Sequence, residues 1–426
     1  MDRLNVSRLI WFGLWSCVWR SGACHAEDWM HWRGPTGNGV SLTAKPPLTW
    51  SQTENVRWKV AVPGRGSSSP VVAGERIFIT TAVPAGGDSQ DPLPTLDFQT
   101  HCYDRGTGEL LWKATAVVAK PHQETHATNG FASASPCTDG EMVYAHFGSR
   151  GLFAYSLDGK LQWSRTDFGK METRNSFGEG SSPTLAGDMI LVPWDHEGPS
   201  ALYALDKKSG KTIWKTDRDE PSCWATPLVV TTNSSQQVVM NGQTCARSYD
   251  LKSGRELWRC AGQTERPCAS PVSADGLVFV GSGHRGAFLG AFRLDGEGDI
   301  EGTSSVVWTI TSDTPDIASP LLSEDRLYFH KGKNGQLSCV NAHTGQPHYL
   351  ASRVPGLNNI YASPVAAGGH VYLTARSGTT VVIRDRTEFE IVATNELGET
   401  IDATPAPVDD QLIIRGEHHL FCIAAE

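Results

Sequence analysis

Eight times along this chain an alternating apolar run begins directly after a proline that itself follows a small residue and a Ser or Thr. The marks are Ser69-Pro70, Ser135-Pro136, Ser182-Pro183, Thr226-Pro227, Ser270-Pro271, Ser319-Pro320, Ser363-Pro364 and Thr404-Pro405. The run after the first, Val71-Val72-Ala73-Gly74-Glu75-Arg76-Ile77-Phe78-Ile79, reads as strand, glycine turn, strand. Units then close on a second signature: YDRGTGELLW (103–112), YSLDGKLQW (155–163), YALDKKSGKTIW (203–214) and YDLKSGRELW (249–258). Asp and Ser/Thr cap such a turn and Gly accepts its positive φ. The aromatic that follows (Trp112, Trp163, Trp214 or Trp258, with degenerate copies ending at Trp308 and Tyr349) falls on the next strand, where it can fill the space between units. Four short strands repeated eight times predict an all-β, eight-bladed propeller of four-stranded antiparallel blades. The seventh unit, Val381 to Thr394, carries the faintest pattern. The eighth stops at Leu420-Phe421-Cys422-Ile423, with no Trp strand after it. The N-terminal strand around Trp58 is expected to complete that last blade and remove both open edges.

Composition narrows the class. With 39% hydrophobic and 19% charged residues, 43 Gly and 14 Trp, disorder is excluded. A net charge of −9 without a long Lys/Arg run excludes nucleic acid as the main partner. Residues 1–26 have a basic start (Arg3, Arg8), an apolar stretch from Leu9 to Trp19 and a small-residue end at Cys24-His25-Ala26. They read as a secretory signal peptide cleaved after Ala26, too short to span a bilayer. Export to the periplasm or medium follows. Lipid anchoring at Cys24 is the weaker alternative, because Ser21-Gly22-Ala23 lacks a large aliphatic residue. Residues 27–56 are then a leader, expected to be dispensable for the fold, and 57–426 a single propeller domain with no transmembrane span, expected to be a monomer.

Of the eight cysteines after the cleavage point, Cys102, Cys339 and Cys422 share a repeat position and read as small buried strand residues. A local Cys260–Cys268 bridge stays open. No CxxC, CxxCH or adjacent Cys pair occurs, so zinc and c-type haem have no motif, and no metal site is assigned.

The repeats resemble the quinoprotein, or PQQ-repeat, β-propeller family, whose unit carries A-x-D-x-x-T-G-x-x-x-W. The match is explicit at Ala204, Asp206, Ser209-Gly210 and Trp214, and nearly so at Asp104, Thr107, Gly108 and Trp112 and at Asp250, Ser253, Gly254 and Trp258. The resemblance covers residues 57–426. It implies the propeller fold and two kinds of function: pyrroloquinoline-quinone dehydrogenases, and non-enzymatic propellers of outer-membrane assembly. Fold analogy does not choose between them.

The site must choose. Loops entering the innermost strands share a face with those joining the second and third strands. Residues just before the Pro marks should therefore ring the channel: Arg65, Asn129, Glu179, Trp224, Arg266, Asp316, Asn359, Tyr361 and Asp402. They would either hold a charged ligand or satisfy one another. A second ring of loops adds Asp195, His196, His284, Arg285, His330, Lys331, Arg376 and Arg415, read as a polar funnel or as solvated loop tips. The first unit has long loops, at 80–100 and 113–129. The second carries His122 and His126, whose spacing suits a metal only on a helix. Under the family's dehydrogenase branch, PQQ and Ca2+ would need carboxylate and amide oxygens, for which Glu179, Asn359, Asp316 and Asp402 are of the right type. Arg65 or Arg266 would polarise a carbonyl and Trp224 would stack. That branch's vicinal disulfide and long inserted loops are absent from this sequence. GxSxG, P-loop and HExxH patterns are absent as well. The sequence therefore points to a binding scaffold for an envelope protein or extended peptide, in the manner of outer-membrane assembly. A PQQ/Ca2+ oxidoreductase on alcohols or sugars is the rival, and a sugar-binding propeller is third.

Overall fold

The computed structural model describes residues 28–86, 91, 93–232 and 235–425; the signal segment and Cys24 lie outside the described residues. The chain is an eight-bladed propeller of four-stranded antiparallel blades following one another in sequence order. Each innermost strand starts on the residue after its Pro: Val71–Ala73, Cys137–Thr138, Thr184–Ala186, Leu228–Thr231, Val272–Ala274, Leu321–Ser323, Val365–Ala367 and Ala406–Val408. Pro cannot donate to a ladder, so it is tolerated where the strand begins.

The Ser or Thr before each Pro has a role that the repeat alone does not reveal. Its hydroxyl accepts the backbone N–H of the equivalent residue one blade earlier, so that Ser69 N–H donates to Ser135 Oγ at 2.9 Å and Ser135 N–H to Ser182 Oγ at 2.9 Å. The series continues through Thr226, Ser270, Ser319, Ser363 and Thr404 at 2.9–3.2 Å. Thr404 N–H then donates to Ser69 Oγ at 2.9 Å and closes an eight-membered cycle. Thr and Ser are required because a buried N–H facing its neighbour needs a short acceptor.

The last blade is closed by Val56–Ala61, which pairs antiparallel with His419–Ala424 and sets Trp58 opposite Cys422. Trp58 also explains the recurring turn. Its indole N–H donates to Arg105 O in the next blade at 2.9 Å, and its ring lies against Gly108, where a Cβ would come within 2.7 Å. The same dock recurs from Trp112 to Leu157 O, Trp163 to Lys207 O, Trp214 to Leu251 O and Trp308 to Ala342 O, at 2.8–3.0 Å. Only a residue without a Cβ lets the ring settle on the turn, and Gly210 also needs its φ of 70°. Asp206 holds that turn by accepting from Ser209 N–H at 2.8 Å.

Trp258 departs from the pattern. Its indole N–H has no partner, and it packs on Phe292 at 5.8 Å instead. The next blade lacks the Gly turn and carries an insertion, whose Gly298–Asp299 adds in parallel to Glu256–Cys260 as a fifth strand.

Three expectations are corrected. The first blade's loops are shorter than expected, since Arg76–Pro84, Leu96–Asp104 and Leu110–Ala119 extend well into them. All eight described cysteines are free, so Cys260 and Cys268 are not bridged. The leader is not a loose appendage. Trp29, Ala44 and Trp50 are buried in the core of the closing blades. Trp29 bridges to Val72 in blade 1 and Val40 to Ala366 in blade 7, so the leader runs beneath the end of the channel opposite the candidate site. Arg33 is fully buried there, donating to Pro364 O at 2.8 Å and Pro320 O at 2.6 Å. No described helix is long and apolar enough to cross a membrane.

Candidate functional site

Around the propeller axis lies a cavity of about 250 Å³. Its wall includes all eight Ser and Thr hydroxyls of the cycle, and Trp32 of the leader also lines it. Of the residues expected to ring the channel, five line it: Asn129, Trp224, Arg266, Tyr361 and Asp402. His126, Thr128, Phe177, Cys268 and Lys333 line it as well and were not singled out as channel residues by repeat position.

The charged members are largely spoken for. Arg266 Nη2 meets both oxygens of Asp316 at 2.9 Å and His284 Nδ1 at 3.0 Å, while its guanidinium lies over the Phe177 ring. Arg376 Nε sits 3.1 Å from Asp402 Oδ1 and its guanidinium stacks over Tyr361. Burial raises the Asp402 carboxyl to about 6, with Arg376 pulling the other way. Asn129 spends its amide on Phe177 O at 2.7 Å, and its Oδ1 accepts from Gly130 N–H and Ser133 Oγ. Trp224 donates to Gly178 O at 2.6 Å. Tyr361 meets Thr128 Oγ1 at 3.1 Å and Lys333 Nζ at 3.2 Å.

The structure places the other expected residues elsewhere. Glu179 lines a smaller side cavity of about 40 Å³. It accepts from Ser149 N–H at 2.7 Å and from the Ser149 hydroxyl, with His122 Nε2 at 4.0 Å; burial raises its carboxyl. Asp195 and Arg218 form a buried bidentate pair at 2.8 and 3.0 Å, which Tyr249 and Asn241 complete. This is a structural network rather than a funnel lip. Arg415 is buried against Ser68 and Thr80 O, and desolvation lowers its guanidinium to about 10. His330 is buried with neither ring nitrogen hydrogen-bonded and is pushed down to about 4 by burial. His196 caps local backbone, accepting from Glu172 and Gly198 N–H at 3.2 Å. Arg65 and Asn359 are exposed, Arg285 reaches Glu265 at 3.5 Å, and Lys331 pairs with Asp313 at 2.5 Å. The segment with His122 and His126 is not helical, and its two imidazoles line different cavities.

These residues do not fit the Ca2+ that accompanies the quinone in that branch of the family. Ca2+ takes six to eight oxygen ligands, but the carboxylates of Asp316 and Asp402 face arginines, Glu179 is taken by Ser149, and Asn359 is exposed and does not line the cavity. Among the described residues no group of three His, Cys, Asp or Glu is arranged to hold a metal.

Comparison with known proteins sets this site in context. A relative named outer membrane protein assembly factor BamB, from Yersinia pestis, is 25% identical over 239 residues, covering 52% of this chain and 57% of its own length. The lanthanide-dependent methanol dehydrogenase of Methylorubrum extorquens is 24% identical over 218 residues, covering 46% and 33%. The solved quinohemoprotein alcohol dehydrogenase of Comamonas testosteroni superposes with a TM-score of 0.63 at 10% identity, over 94% of this chain and 81% of that one, a likeness of fold. The matches span about a third to just over half the length of these curated relatives. A family model described as outer membrane protein assembly factor BamB matches residues 16–166, 93–249 and 246–387. The chain therefore belongs to that PQQ-repeat propeller family.

Proposed function

We propose that this chain is an exported, non-enzymatic binding propeller of the cell envelope, holding an extended segment of another envelope protein as part of outer-membrane assembly. The observation that carries the reading is the mutual neutralisation of the channel face. The carboxylates that a metal or a general base would need already face arginines or local donors. What remains is hydrogen-bonding and aromatic surface, which suits recognition rather than acid–base chemistry. The parallel pairing of the chain's own Gly298–Asp299 with the rim of blade 4 supports strand addition at an outer blade edge as the mode of attachment. The relatives named as assembly factors support the partner class. Residues 1–26 support export, and the propeller is taken to act as a monomer.

The rival is a PQQ/Ca2+-dependent oxidoreductase. The test is reconstitution of the purified chain with PQQ and Ca2+, followed by dye-linked assays on alcohols and sugars, beside photo-crosslinking from the rim of blade 1 in cell envelopes. Crosslinks to an outer-membrane assembly protein with no dye reduction are the expected outcome. Ca2+-dependent dye reduction would overturn the scaffold reading.

A further inference from the structure

The outer rim of blade 1 is unlike the others. Its last strand, Leu110–Ala119, has ten residues and presents about 33 Å of edge. Six of the other outer strands have only five to seven residues. Blade 6 has a longer one, Pro347–Asn358, but Pro355, a φ of 44° at Ala351 and three register shifts break its edge. Leu110–Ala119 pairs with Leu96–Asp104 on one side and ends the sheet on the other. Among the described residues no backbone group bonds to it from outside the blade, so its outward N–H and C=O groups face solvent.

The two faces of this strand differ. Trp112 docks on Leu157 O of blade 2, and Ala114, Val117 and Ala119 pack on the cluster that holds Phe147 and Phe153 of that blade. Leu110, Lys113, Thr115 and Val118 lie opposite Tyr103, His101, Gln99 and Asp97, every second residue of the neighbouring strand, and so share the other face. That face is exposed. Eight large apolar side chains are exposed among the described residues, and Leu110, Leu111 and Val118 are three of them, at 42, 46 and 55%. Between Leu110 and Val118 stands Lys113, with no carboxylate within ion-pair distance among the described residues. A lysine blunts such an edge selectively: it opposes an apolar or basic residue across the gap and favours a carboxylate.

We propose that this edge takes an extended segment of an envelope protein as the fifth strand of blade 1. Running antiparallel, the segment would carry on every second residue an apolar side chain for Val118, a small polar one for Thr115, a carboxylate for Lys113 and an apolar one for Leu110. The proposal rests on the scaffold reading and adds to it the docking strand and the chemistry of its partner. A second copy of the chain fits poorly, because Leu110, Lys113, Thr115 and Val118 include no carboxylate to meet Lys113. The rim of blade 4 is already occupied by Gly298–Asp299, which leaves blade 1 as the long open edge.

The experiment titrates the full propeller into a fluorescein-labelled peptide, Ser-Val-Thr-Thr-Gln-Glu-Thr-Leu-Ser, followed by anisotropy and by backbone hydrogen exchange of the protein. Saturable one-to-one binding is expected, with slowed exchange concentrated in Leu110–Ala119. Lys113→Glu should weaken the peptide by about fivefold or more. The peptide with Lys in place of Glu should bind Lys113→Glu as tightly as the original binds the parent. Lys113 is exposed, so the melting temperature of the variant should stay within about 2 °C of the parent. Absence of saturable binding at about 1 mM peptide, protection confined to other strands, or failure of the charge exchange to restore binding would each overturn the proposal. Slowed exchange of the same strand that grows with protein concentration in the absence of peptide would also overturn it, in favour of self-pairing. The assay contains no envelope protein, quinone or metal. If it fails while crosslinks to assembly proteins persist in envelopes, the docking edge is lost and the scaffold reading stands; if it succeeds while PQQ and Ca2+ support dye reduction, the edge stands and the scaffold reading is lost.

Discussion

Replacing Trp58 by Ala tests the closure of the ring at its seam. The side chain is 8% exposed, donates its indole N–H to Arg105 O at 2.9 Å, and covers Gly108 in blade 1. Truncating a buried Trp to Ala costs about 3–5 kcal/mol in transfer and cavity terms. The orphaned Arg105 carbonyl adds about 1 kcal/mol. A loss of about 4–6 kcal/mol is large beside a typical total of about 5–15 kcal/mol. Trp58→Phe keeps most of the packing and loses the hydrogen bond, so about 1–2 kcal/mol is expected. Urea unfolding followed by far-UV circular dichroism reads both as shifts of the midpoint at constant slope. Leu42→Ala, at a side chain 78% exposed, should leave the midpoint in place. A Trp58→Ala midpoint equivalent to less than about 1 kcal/mol from the parent would refute the idea that this indole locks the last blade to the first.

Three further outcomes follow from the same structure. Thr404→Val keeps the shape of the side chain but leaves the buried Ser363 N–H without its acceptor, so a loss of about 1–3 kcal/mol is expected in the same urea assay. Removing residues 28–50 takes Trp29 and Trp50 out of the core, and at about 3–5 kcal/mol for each buried indole the shortened chain should lose its cooperative unfolding transition. Burial holds His101, His146 and His330 neutral, with values lowered to about 4. Their unfolded forms take up protons below pH 6.5, so stability falls as the pH drops from 6.5 towards 4, by up to about 3 kcal/mol for each imidazole. Asp402, lifted to about 6, and Glu179 and Asp195, both raised by burial, work in the opposite sense and offset part of this loss. Melting temperatures across pH 4–7.5 check the sign, and a melting temperature that rises on acidification would contradict it.

The fold was legible because its signals are local and repeated. The Pro marks fall at strand starts, and the missing Trp strand of the eighth unit pointed directly to Trp58. The irregular blade 5 was less legible, since the insertion after Arg293 pairs with the neighbouring blade and no local pattern announces a two-residue parallel strand. The site was half legible. Repeat position brought Asn129, Trp224, Arg266, Tyr361 and Asp402 to the axis, but it could not say that Asp195 turns inward to Arg218 while Arg266 turns to Asp316. The first choice is made between strands of one blade and the second by a partner across a blade boundary, and repeat position specifies neither. The serines and threonines of the cycle were in plain view as punctuation. Their function shows only when eight of them are placed side by side. Trp32 lay in a segment with no repeat, where sequence offers no register against the blades.

Strand pairing across the seam also sets a schedule. Trp58 and Cys422 are cross-strand neighbours, yet they stand 364 positions apart along the chain. At a synthesis rate of roughly 5–20 residues per second, the first strand waits about 20–70 s for its partner to exist. Throughout that interval seven blades can assemble, but the strand that finishes the eighth has nothing to pair with and offers an open backbone edge. Completion of this ring is therefore a late, long-range event, and the hazard it carries is intermolecular: a waiting strand from one copy can enter the unfinished blade of another. Slowing the last hundred residues of synthesis should raise the share of strand-exchanged oligomers, and bringing the two strands together early, by circular permutation at the blade 7–8 loop, should abolish it.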